Sequence, residues 1–220
     1  MSGSYGAGHR APRWNRVGGG RPAAARLGVP WRPVVTFTVG GLLLVAVASI
    51  WVTSPIGDIA LQVSIPALAS AAAYLLDEPA AEAVDATPMP MRARSGSRLL
   101  VAVAILALGA LALGVLALRS GTSTRLGVVV QLGGCILVAI AASSVLRRRT
   151  PEPGDAVSGG LVAFVLAIVL ARPFDRWVEL FPTEPGQRWA GSLTVWAVVG
   201  SVSVVAAIRA IRDPLDRARL

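Results

Sequence analysis

Few residues in this chain can do chemistry, and they fall into three groups. The run DEPAAEAVDATPMPMRAR at 77–94 places Asp77, Glu78, Glu82 and Asp85 ahead of Arg92 and Arg94. Asp77 can cap a helix, Pro79 is tolerated in its first turn, and the alanines that follow favour it. Pro88 and Pro90 then end it. Such a polarised helix can dock on another protein by charge, or it can be a capped, solvated connector. The second group lies inside apolar runs: Gln62, Ser64, Pro66 and Ser70 in one, Gln131 in another. Pro66 removes the bond to the carbonyl of Gln62, so this run is kinked and mildly polar. These residues are candidates to line a pathway, or they are a structural kink and a buried amide bonded to a neighbouring helix. In the third group, Phe174, Trp177, Val178 and Phe181 recur at helical spacing, with Asp175, Arg176 and Glu179 opposite. That predicts a short amphipathic helix at a membrane surface, ended by Pro182. It serves as an interfacial anchor, or as a lid or re-entrant element.

No catalytic set emerges from these groups. His9 is the only histidine and Cys135 the only cysteine, so a histidine metal site and an internal disulfide both lack material. No phosphate-cradling loop is present, so any ATP hydrolysis belongs to a separate chain. No ionisable residue falls at mid-membrane depth, which counts against proton-coupled transport. The expectation is a non-enzyme that binds no metal and no cofactor of its own.

The elements that must position these groups are six apolar stretches, at roughly 34–53, 59–76, 99–118, 126–146, 157–171 and 190–208. A helix needs about 20 apolar residues to cross a bilayer. The fifth stretch is short and relies on Arg172 reaching the interface. The runs are continuous rather than alternating, which selects helix over strand. The chain is 54% hydrophobic and 15% charged, which suits one membrane domain and leaves no length for a soluble catalytic one. The expected class is an all-α integral membrane protein of six transmembrane helices, with a cytoplasmic coupling-type helix and an outer amphipathic helix. A flexible basic tail covers 1–32, the membrane domain 33–212 and a C-terminal tail 213–220.

All 21 basic residues are arginine. Together with abundant Ala, Val, Leu and Gly, this points to a high-GC bacterial genome. The tail, the loops after the second and fourth stretches and the C-terminal segment hold sixteen of them; Arg119, Arg125, Arg172, Arg176 and Arg188 fall on the other side. The positive-inside rule then puts both termini in the cytoplasm. The net charge of +9 is accounted for by topology, without nucleic acid as a partner.

With 77–98 as the long loop between the second and third stretches and 172–189 between the fifth and sixth, the layout resembles the six-span permease subunit of a bacterial ABC-type exporter. The run LLDEPAAEAVDATPMPMRAR also resembles loops of permease-like proteins. The resemblance implies a coupling helix that docks on a separate ABC-type ATPase, which would hold ATP and Mg. It also implies a second permease subunit, a translocation pathway between the two, and residence in the bacterial cytoplasmic (plasma) membrane. A non-catalytic accessory or scaffold subunit of a larger membrane complex is the alternative. An integral membrane enzyme acting on lipid would need a catalytic cluster that the acidic loop does not resemble.

Overall fold

The computed structural model describes residues 29–77, 91–120, 126–150, 152–171, 173, 177–182 and 189–211. Among these residues the chain is helical, without strands. It forms α1 (Trp31–Ile50), α2 (Pro55–Tyr74), α3 (Met91–Ser120), α4 (Leu126–Leu146), α5 (Gly154–Ala171) and α6 (Trp189–Ile211). Every helix is long and apolar enough to cross a bilayer. The protein is therefore a multi-pass membrane protein, because helices satisfy their own backbone bonds in lipid. Most of the basic tail, the stretch 78–90, the C-terminal tail and Phe174 lie outside the described residues. The coupling-type helix expected after Asp77 falls among them.

The helix ends differ from the sequence reading in informative ways. α2 starts at Pro55, inside what reads as a loop, because Ser54 caps it: the Ser54 hydroxyl accepts the Ile56 N–H at 3.3 Å. α3 is 30 residues long and begins directly after Pro90, so Arg92, Arg94 and Arg98 belong to its first turns rather than to a loop. At about 1.5 Å per residue it exceeds the roughly 30 Å hydrocarbon core and must project beyond it. α5 begins at Gly154, not 157, which gives it 18 residues and makes it long enough to cross. α4 matches its expected limits, set by Arg125 and Arg147 on either side.

The core is organised around two helices. α2 packs against α1, α3, α4 and α5, while α4 packs against α2, α3, α5 and α6. In the membrane-spanning window, 72% of α2 is buried against 22% of α1 and of α6. Small residues make this possible: Ala69, Ser70, Ala71, Ala72 and Ala73 let neighbouring backbones close on α2. The outward faces of α1, α3, α5 and α6 carry exposed Val35, Leu43, Leu111, Phe164 and Val202. These surfaces are what a lipid or membrane-protein environment requires of them.

Candidate functional site

Polar side chains converge at both ends of the bundle. At the Arg-poor end, where α1 turns into α2, the chain between α5 and α6 does not form the expected amphipathic helix over its described part. Trp177–Phe181 is irregular, with a turn at Trp177 and bends at Leu180 and Phe181. Its backbone carbonyls are taken by side chains from three helices. The Trp196 indole N–H and the Ser192 hydroxyl, both on α6, donate to the Leu180 carbonyl at 2.8 and 3.0 Å. The Gln62 amide on α2 donates to the Phe181 carbonyl at 3.3 Å. The Gln131 amide on α4 donates to the Pro182 carbonyl at 3.5 Å.

These bonds explain the missing helix. A helical 177–181 would turn its carbonyls along its own axis, whereas here they point at donors on α2, α4 and α6. The donors lie inside the helix starts: Ser192 is three residues into its helix, Gln131 five, and Gln62 and Trp196 seven. That is about 5–10 Å along the axis, so the segment descends between the helix ends. Phe181 is buried and its ring meets Trp196 at 5.2 Å, tilted by 58°. Trp196 in turn lies against Gly134 on α4, where any Cβ would strike the indole. Of this segment's amphipathic set, Trp177 is 67% exposed while Phe181 is buried, a split that an anchor lying flat on a membrane surface would not show.

The pathway candidates are thereby located. Gln62 and Gln131 both lie toward the Arg-poor end, and their amide nitrogens bond neighbouring carbonyls of the descending segment. The Gln131 Oε1 is buried without a hydrogen-bond partner among the described residues. Ser64 donates to the Leu61 carbonyl at 2.7 Å, and Pro66 is buried within an unbroken helix. Ser70 is buried, and its hydroxyl has no hydrogen-bond partner among the described residues. The sequence candidates thus divide into two amides at the mouth and a Ser/Pro group inside α2.

The Arg-rich end holds the second cluster. The Asp77 carboxylate, in the segment that follows α2, accepts the Gly154 N–H at 2.7 Å and so caps α5 from outside its own chain neighbourhood. A Cβ at Gly154 would collide with the Asp77 carboxylate and the Tyr74 ring, so only glycine admits this approach. The Tyr74 hydroxyl donates to Asp155 at 2.7 Å, and its ring stacks on Phe37 of α1 at 5.6 Å. The Arg98 guanidinium of α3 donates to the Asp77 carbonyl at 3.3 Å, and both residues are buried. Burial pushes the Asp77 carboxyl up to about 6. The Gly154 N–H opposes this, nearby Glu152 and Asp155 add to it, and Arg98 offsets part of it. Nearby, Ser143 of α4 donates to the Ala73 carbonyl at 3.2 Å. Arg148 donates to the carbonyls of Arg209 and Ala210 at 2.9 and 3.0 Å, which closes the C-terminal end of α6.

Asp77, read from the sequence as the cap of a coupling helix, is thus turned inward onto α5. Glu78, Glu82 and Asp85 lie outside the described residues, and Arg92 and Arg94 ride on the helical start of α3. Sequence reasoning missed Tyr74, Gly154, Asp155, Ser192 and Trp196. A tyrosine and a tryptophan inside apolar spans were the available signal, because each needs a partner for its polar atom. Among the described residues, no three His, Cys, Asp or Glu side chains group as a metal site. No known protein family, curated protein or solved structure matches the chain.

Proposed function

We propose that this chain is the membrane-spanning permease subunit of an ABC-type transporter in a bacterial cytoplasmic membrane, with its Arg-rich end in the cytoplasm. It pairs with a second permease subunit and with a separate ATPase that docks at 78–94 through Glu78, Glu82 and Asp85. The supporting observation is the segment at 180–182, which descends into the Arg-poor mouth and is bonded to side chains of α2, α4 and α6. A closure tied to three helices opens when those helices shift relative to one another, which is what nucleotide-driven rocking of a permease does.

A second reading, a non-catalytic accessory subunit, is favoured by a different observation. The part-buried Gln62 and the buried Gln131, the amides best placed to line a route, are both engaged by the chain itself. Gentle-detergent purification of the tagged full chain, with mass spectrometry of stoichiometric partners, separates the two. A nucleotide-binding ATPase that is lost from the Glu82→Arg, Asp85→Arg variant supports the permease. A membrane partner without a nucleotide-binding loop supports the accessory subunit and removes the coupling role.

A further inference from the structure

α5 and α6 both lean on α4 but scarcely touch one another. Between them lies a cavity of about 240 Å³. Its inner wall is Cys135 of α4, Val165 of α5 and Trp196 of α6, all buried. Its rim holds Phe164, which is 54% exposed, and the half-buried Val195 and Val199. Leu180 of the descending segment closes it toward the Arg-poor end.

The chemistry of the lining selects the occupant. Every lining residue named here is apolar at the wall, and the indole N–H of Trp196 is already spent on the Leu180 carbonyl. Water in a cavity needs two to four polar partners, so this one is dry. An apolar void of about 150 Å³ already admits benzene, and this cavity is larger. Left empty, its walls forfeit their dispersion contacts. The mouth between Phe164 and Val199 is continuous with the apolar outer faces of α5 and α6, which both qualify as membrane spans. The one hydrocarbon always present at that surface is the bilayer's own.

We propose that this cavity is a lipid site, filled by one acyl chain of a bilayer phospholipid that enters between α5 and α6. The chain rests against Cys135, Val165 and Trp196 and supports the underside of the descending segment through Leu180. The proposal needs the bilayer but not the ATPase, so it stands or falls separately from the permease reading.

The test uses the full chain in detergent with a trace of phosphatidylcholine that carries a photoactivatable diazirine on one acyl chain. Dilution by detergent suppresses random surface adducts. After illumination, peptide mass spectrometry should find adducts at Val165 and Val195–Val199 several-fold above those at exposed Leu100 and Leu111 of α3. Val199→Phe fills the mouth and should abolish the excess while leaving the α3 adducts unchanged. Leu161→Phe, which fills the cavity from α5, should do the same should Val199→Phe not fold. Adducts spread evenly over α3, α5 and α6, or an excess that survives both fillings, would overturn the site.

Discussion

The two ends of the bundle solve the same problem with different chemistry. Each must join helices that lipid alone would not hold in register, and α2 takes part in both. At the Arg-rich end the main ties carry ionisable groups, beside the neutral Ser143 bond to the Ala73 carbonyl: Asp77 caps α5, Tyr74 bonds to Asp155, and Arg98 holds the carbonyl of Asp77. At the Arg-poor end they are neutral: two amides, a hydroxyl and an indole, all donating to the backbone of one non-helical segment. Burial raises the pKa of the Asp77 carboxyl, so the Arg-rich end responds to pH through that group. The neutral ties of the Arg-poor end carry no titratable group and do not. The difference separates a fixed, pH-sensitive clasp from a closure built of individually weak bonds, each worth about 0.6 kcal/mol on average inside a membrane protein.

That contrast can be broken in graded steps. Trp196→Ala should have the largest effect, because it removes the ring against Phe181 and Gly134 as well as the bond to Leu180. Loss of a buried aromatic costs about 3–5 kcal/mol, to be read from thermal unfolding in detergent. Trp196→Phe keeps the ring and should recover most of that. Gly154→Ala comes next at about 1–3 kcal/mol, since its Cβ has no room beside Asp77 and Tyr74 and the α5 cap must shift. A wild-type melting temperature for Gly154→Ala would show that the clasp is looser than described.

Asp77→Asn sharpens the comparison through pH. In the folded chain Asp77 holds its proton up to about 6, above its ordinary value of 3.8. Between those values the folded state binds the proton more tightly than the unfolded one, so stability falls as pH rises through this window. A pH series of melting temperatures should show that fall in wild type, and Asp77→Asn should remove this contribution. Variants of the Arg-poor end should leave the slope untouched. The smallest effect is expected from Gln62→Leu, which removes one neutral bond to the Phe181 carbonyl: about 0.6 kcal/mol, and no change with pH.

Much of the scaffold was legible in the residues. Six apolar runs bounded by arginine and proline define six helices, and α4 needed only Arg125 and Arg147 to fix its ends. The starts of α2 and α5 were hidden because each depends on a cap. Ser54 and Pro55 look like loop residues until the Ser54 hydroxyl is seen to accept the Ile56 N–H. The cap of α5 comes from Asp77, which is distant in sequence. The site was legible in its residue types and not in their partners. Gln62 and Gln131 stand out as amides in apolar helices, but nothing local says that both reach the same segment. The spacing of Phe174, Trp177, Val178 and Phe181 fits a helical face. Periodicity carries no information about donors on α2, α4 and α6 that claim the carbonyls at 180–182.

The most direct test of the closure is thiol labelling at Leu180 and Trp177 in a Cys135→Ala background, with a hydrophilic maleimide applied to permeabilised membranes so that both faces are reached. Leu180→Cys should label many-fold more slowly than Trp177→Cys, and combining it with Gln62→Leu and Ser192→Ala should raise its rate toward that of the exposed position. Equal labelling of the two single-cysteine variants from the start would contradict the account, because the segment would then lie on the surface rather than between the helices.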